Sequence, residues 1–336
     1  MTLPELKADI DGIIRASTTK FILPILMLFY LKHTMRTGNS VVLNSLVRSG
    51  YGETVCNLIK DHLHHNFNIG GQFNDTYISR LSSRHRFLRQ VDQRTFAVQD
   101  DYAENAEILK DFLISRITAR LDLRLGNLII LTRIMENDPE LENKDVYERQ
   151  LNEALQDKSS KRFRNFLEVG FDKKAKGFLA LSYGFEVCMF SILKVFLAKF
   201  GCKLYRDSRT YAADKGGDIS TNFGVVYQIK NYYLREETRF AELLDELVMN
   251  FSDGRLQEGN VFLIIRDVSN GFKTQLKEKN INCITKESVT ELLDKLTCEE
   301  KRDVLDNILQ EFRREVVSDI CRKCREKERE ICPYAV

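Results

Sequence analysis

Beyond residue 85 this chain has no histidine. All five lie between His33 and His85, so a His-dependent triad or an HNH-type site is excluded from the C-terminal half. Neither a P-loop nor a Rossmann glycine signature occurs, and no nucleotide cofactor is expected. There is no internal repeat and no low-complexity segment. The apolar run Phe21-Ile-Leu-Pro-Ile-Leu-Met-Leu-Phe-Tyr-Leu31 falls well short of the ~20 residues that a membrane-spanning helix needs, so a buried helix is expected and no membrane partner. The opening Met1-Thr-Leu-Pro-Glu-Leu-Lys7 has no secretory pattern, and the eight cysteines are scattered rather than framed. Reduced thiols in a cytoplasmic protein are the expectation. Charge of either sign is hardly in excess: 51 Lys and Arg against 49 Asp and Glu give +2. Any polyanion must therefore be met by local clustering.

What is present fits two globular domains. The 336 residues can bury two cores, and 43% hydrophobic with 30% charged residues is an ordinary balance. Residues 1–155 read as a mainly helical domain, with helical patterns over 5–16, 19–36, 41–64 and 101–136. Between the last two, Arg86-Phe-Leu-Arg-Gln-Val-Asp-Gln-Arg-Thr-Phe-Ala-Val98 reads as a short hairpin about Asp92-Gln93. Helices followed by a basic hairpin suggest a winged-helix-like module. The polar stretch Asp157-Lys-Ser-Ser-Lys-Arg-Phe-Arg164 is expected as a linker.

Residues 165–298 alternate helix and strand. The pattern predicts a long helix over 176–200, strands over 202–205, 225–230, 261–265 and 281–285, and helices over 238–251, 271–279 and 289–296. This order implies a mixed sheet flanked by helices, an α/β (α+β) fold. Residues 299–336 hold a charged C-terminal helix.

The densest chemistry lies in Lys215-Gly-Gly-Asp-Ile-Ser-Thr-Asn-Phe-Gly-Val-Val-Tyr-Gln-Ile-Lys230. On a strand Gln228 and Lys230 share one face, while Val225, Tyr227 and Ile229 take the other. A hairpin returning Asp218 beside them gathers a carboxylate, an amide oxygen and an ammonium. Oxygen donors suit Mg²⁺. Asp218 and Gln228 are candidate ligands, and Lys230 is placed to orient or deprotonate a water or to stabilise negative charge. Asp207 and Asp214 are alternatives to Asp218. Glu186, among Phe185, Val187, Met189 and Phe190, needs a metal or a basic partner such as Lys230 if buried; otherwise it lies on a wet helix face.

A Glu on a leading helix, then Gly-Gly-Asp, then an apolar strand ending in Gln-x-Lys resembles the PD-(D/E)xK nuclease superfamily. The likeness is strongest to its type II restriction endonuclease branch and covers about 180–290. In that resemblance Asp218 stands for the first acid, Gln228 for the second, Lys230 for the lysine and Glu186 for the helical acid. No Pro precedes Asp218, and Gln replaces an acid. The resemblance implies a restriction-endonuclease-like core with Glu186, Asp218, Gln228 and Lys230 as catalytic residues. Asp218, Gln228 and Glu186 would hold Mg²⁺.

Arg80, Arg84, Arg86, Arg89 and Arg94 concentrate positive charge around His85 and suit contacts to phosphate and guanine edges. The alternative is a solvated basic surface. Arg116, Arg120 and Arg124 form a helical stripe that either tracks phosphates or pairs with Asp111 and Asp122. Lys158, Lys161, Arg162 and Arg164 are a third candidate contact. His62 and His65 have metal-like spacing, as do Cys321 and Cys324 with Cys332, but a structural zinc site needs four ligands.

The expectation is a Mg²⁺-dependent type II deoxyribonuclease acting on double-stranded DNA. A palindromic site would favour a twofold homodimer. A structure-selective repair or recombination nuclease and a non-catalytic DNA-binding protein of the same fold are the alternatives.

Overall fold

The computed structural model describes residues 1–16, 22–38, 41–43, 80–92, 95–181, 183–206, 217–251, 256 and 258–327, with backbone only at 22, 37, 41–43, 95 and 315–327. The chain divides into two compact units. The first holds 1–136, 174–176 and 313–336; the second holds 137–173 and 177–312. No helix among the described residues is long and apolar enough to cross a membrane.

The first unit has helices α1 (Leu3–Ala16), α2 (Ile22–Thr37), α3 (Asp100–Glu104) and α4 (Ala106–Met135). In α4, Leu109, Leu113, Ile117, Leu121, Leu125 and Leu128 recur every three or four residues and are all buried, which is the stripe an amphipathic helix turns to a core. Strands β1 (Val41–Leu43), β2 (Leu88–Gln90) and β3 (Thr95–Val98) form an antiparallel sheet in the order β1-β3-β2. Leu88 faces Val98 and Gln90 faces Phe96, so the hairpin over 86–98 is present. The helix expected from 41 begins instead as a strand. Val41 and Val42 are β-branched, the segment finds an open edge on β3, and residues 44–79 lie outside the described set.

The second unit is mixed α/β, with a five-stranded sheet flanked by helices. It opens with α5 (Lys144–Gln156), α6 (Lys161–Val169) and α7 (Gly184–Ala198). Then come β4 (Leu204–Arg206), β5 (Ile219–Thr221), β6 (Val226–Leu234), α8 (Glu237–Asn250), β7 (Val261–Val268), α9 (Asn270–Glu278), β8 (Ile281–Thr285), α10 (Lys286–Glu291) and α11 (Cys298–Lys327). Strand order is β4-β5-β6-β7-β8. The first three are antiparallel neighbours, and β6, β7 and β8 run parallel through the crossovers α8 and α9. On one face Val226, Val261, Leu263 and Ile265 pack with Phe240, Leu243 and Leu247 of α8 and Phe272 and Leu276 of α9. Toward the other, the Arg266 guanidinium lies 5.2 Å from the Phe185 ring of α7.

The polar stretch 157–164 is no linker. The Asp157 carboxylate accepts from the backbone N–H groups of Ser159 and Arg162, and the Ser160 hydroxyl donates to the Leu293 carbonyl. Phe163 is fully buried. These polar residues start α6 rather than separate domains. The expected helix over 176–200 starts only at Gly184. A Cβ at Gly177 would sit 1.8 Å from the Glu168 carbonyl oxygen, so the chain runs there as a close crossing.

That crossing makes a test. Gly177→Ala should cost about 2 kcal/mol or more in urea unfolding, because backbone on both sides must move. Gly271→Ala, in α9 with nothing near its added Cβ, should be neutral or stabilise by up to ~1 kcal/mol. Equal effects at both positions would contradict the described crossing.

Candidate active site

The register of β5 on β6 builds the site. Ile219 faces Tyr227 and Ser220 faces Val226, which carries Asp218 to the level of Gln228. Gly217 permits this approach: a Cβ there would lie 2.0 Å from Val226 Cγ1 and 2.8 Å from the Tyr227 carbonyl oxygen. Gly217, next to Asp218, is thus a contact requirement. Asp218 Oδ2 accepts from Gln228 Nε2 at 2.8 Å and from the Ile229 backbone N–H at 2.6 Å. Gln228 is 6% exposed, and its Oε1 is buried without a hydrogen-bond donor. Burial pushes the Asp218 carboxyl above the ordinary carboxylate range, against the Ile229 N–H and the positive charges of Lys230 and Arg206; the Glu246 charge adds to the rise.

Lys230 shares the face of Gln228, as the strand alternation requires, but that face is also a packed one because Val226 joins the core there. The Lys230 ammonium donates to Glu246 Oε1 of α8 at 2.5 Å. Glu186 is not Lys230's partner. Its Oε1 accepts from Arg206 Nε at 2.7 Å, while Arg206 Nη1 donates to Glu311 Oε2 of α11 at 3.0 Å. Arg206 is 3% exposed, so its charge is compensated by two carboxylates in a buried network. The structure therefore joins Asp218, Gln228 and Lys230, and commits Glu186 to Arg206.

Arg206 and Glu246 were missed from sequence. Arg206 lies two residues after the buried Leu204 on β4, whose inward-outward-inward burial puts an arginine on the packed side of a strand. Glu246 borders the Leu243 and Leu247 stripe of α8, an acid beside an apolar seam. Asp207 and Asp214 fall outside the described residues, as do His62, His65, Cys332 and the side chains of Cys321 and Cys324.

Among the described residues, no three His, Cys, Asp or Glu side chains cluster to hold a metal. Mg²⁺ asks for less, typically one or two carboxylates with waters filling its shell. A carboxylate whose charge burial disfavours and a buried amide oxygen without a donor are the donor types this ion takes. With Nε2 now facing Asp218, the Gln228 amide would turn over to present its oxygen beside the acid. Asp218 and Gln228 fit Mg²⁺.

In the first unit Arg84, Arg86 and Arg89 are exposed around the hairpin, as is Arg80; Arg94 lies outside the described residues. Arg89 pairs loosely with Asp100 at 3.7 Å. The His85 imidazole is pushed below its ordinary pKa by burial, with Asp9 opposing and Arg84 and Arg80 adding to the fall. Phe87 and Phe96 are buried, and the Phe87 ring meets Tyr102 edge-on at 5.0 Å. On the α4 stripe Arg116 reaches Asp11 at 3.2 Å rather than Asp111, which pairs with Lys110.

Compared with protein-family models, with curated proteins and with solved structures, the chain matches none.

The raised Asp218 pKa fixes the sign of a pH effect. The folded state holds this proton more tightly than the unfolded chain, so its contribution to stability is lost as pH rises above the ordinary carboxylate range. Asp218→Asn, which removes the buried charge, should raise the urea midpoint at neutral pH. The gain should vanish by about pH 3–4, where the wild-type acid is protonated in both states. A variant less stable than wild type at neutral pH would show that the charge is compensated in the fold.

Proposed function

We propose that the second unit is a Mg²⁺-dependent phosphodiesterase of restriction type that hydrolyses double-stranded DNA. The observation that carries this reading is the convergence of Asp218, Gln228 and Lys230 on neighbouring strands. Its setting adds support. A leading helix, three antiparallel strands, a crossover helix and a parallel strand follow in the order that the PD-(D/E)xK resemblance implies.

Asp218 and the Gln228 carbonyl would hold the Mg²⁺, which when bound supplies charge neutralisation at the phosphate and a more acidic water. Lys230, on the same strand face, places an ammonium where negative charge develops. Glu246 fixes that ammonium. Glu186 acts here through Arg206, as a positioning group.

The first unit supplies DNA contacts in this reading. A three-stranded sheet closed by a hairpin, with β1 on the far strand, supports a winged-helix-like module. Its exposed Arg84, Arg86 and Arg89 present guanidiniums to a duplex. Two copies, each cutting one strand, would match a palindromic site.

Plasmid DNA incubated with the purified protein and Mg²⁺ should give discrete bands, and EDTA should abolish them. Asp218→Ala and Lys230→Ala should each lower the rate by ~10²–10⁴-fold. Independently of cutting, Mg²⁺ should raise the melting temperature of the wild type and leave that of Asp218→Ala unchanged. Nicks confined to branched DNA would favour a structure-selective nuclease. No cleavage under any Mg²⁺ condition would favour a DNA-binding protein that keeps the fold.

A further inference from the structure

Of three arginines near the end of β6, two are taken up by carboxylate, amide or carbonyl oxygens. Arg235 pairs with Asp267 at 3.0 Å, and Arg266 donates to Asn231 Oδ1 and to the Leu179 carbonyl. The third, Arg239, is exposed, and among the described residues no carboxylate lies within ion-pair distance of it. Its guanidinium instead lies over Tyr232, 3.9 Å from the ring centroid, with the Tyr232 hydroxyl as a hydrogen-bond partner. Tyr232 packs its ring against the core formed with Phe240, Leu243 and Leu247, so the platform is anchored. Arg239 also stands in the first turn of α8, where a cation opposes the helix dipole. Glu242, one turn on, does not engage it. Neither helix stability nor ion pairing accounts for an arginine here. A planar fork held on an aromatic ring is preorganised for the two oxygens of a phosphodiester.

The position suits the site described above. Tyr232 is two residues past Lys230 on β6, within the β-bulge between Lys230 and Tyr233, and both side chains reach the α8 side of the sheet. We propose that Arg239, propped on Tyr232, grips a DNA backbone phosphate next to the one presented to Asp218, Gln228 and Lys230. This rests on the nuclease reading, which supplies the phosphodiester.

Binding of a short fluorescein-labelled DNA duplex, followed by anisotropy with Ca²⁺ in place of Mg²⁺, tests the assignment. Arg239→Ala should weaken binding by about tenfold and make the plot of log K against log salt shallower by about 0.9, the loss of one phosphate contact. Arg239→Lys should restore the salt slope and only part of the affinity, because an ammonium lacks the planar guanidinium fork. Lys277→Ala, removing an exposed charge on α9, should change neither. Circular dichroism of each variant shows that it is folded. Wild-type affinity and slope in Arg239→Ala, or an equal loss in Lys277→Ala, would overturn the role of Arg239 and leave the nuclease reading standing. A wild-type protein that does not bind the duplex would overturn both.

Discussion

The structure of the site hangs on the register between β5 and β6. Side chains alternate across a sheet, so a slip of one residue would send Asp218 to the far face and Gln228 away from it. Three features hold that register. Gly217 passes where a side chain cannot, against Val226 and Tyr227. Ile219 is fully buried opposite Tyr227. The Asp218 carboxylate itself bonds the Ile229 N–H. The acid is therefore both a product of the register and one of its anchors.

Around this centre, charge is distributed with economy. Arg206 lies between Glu186 and Glu311 and tempers the Asp218 acid. Lys230 and Glu246 neutralise each other at the lip of the core. Elsewhere in the second unit a buried lysine, Lys301, is satisfied by a backbone carbonyl, that of Asp157. In each case a charge removed from water keeps a specific partner, which ties α7, α8 and α11 to positions on the sheet.

Much of this was legible in the sequence because period-two and helical patterns are strong in the second unit. The strand 281–285 and the helices near 238–251 and 271–279 lie where their patterns place them. The proximity of Asp218 to Gln228 followed from a turn and a strand, both local signals. Tertiary partners were not legible. Glu186 was read as needing a cation, and it has one, but Arg206 lies on a strand edge whose pairing no local pattern reveals. The linker failed for a related reason: caps are polar, so a helix start looks like a solvated connection. The segment 41–43 pairs with β3 because its valines favour a strand where a partner edge is at hand, a preference that a helical pattern read over a longer window hides.

The bond from the Ile229 N–H to the Asp218 carboxylate has a spectroscopic consequence. A backbone amide proton facing an anionic oxygen is deshielded, and it loses that environment when the oxygen is protonated or turned toward a cation. The chain thus carries, in the middle of its central strand, a proton whose resonance frequency records the charge state of its own candidate centre.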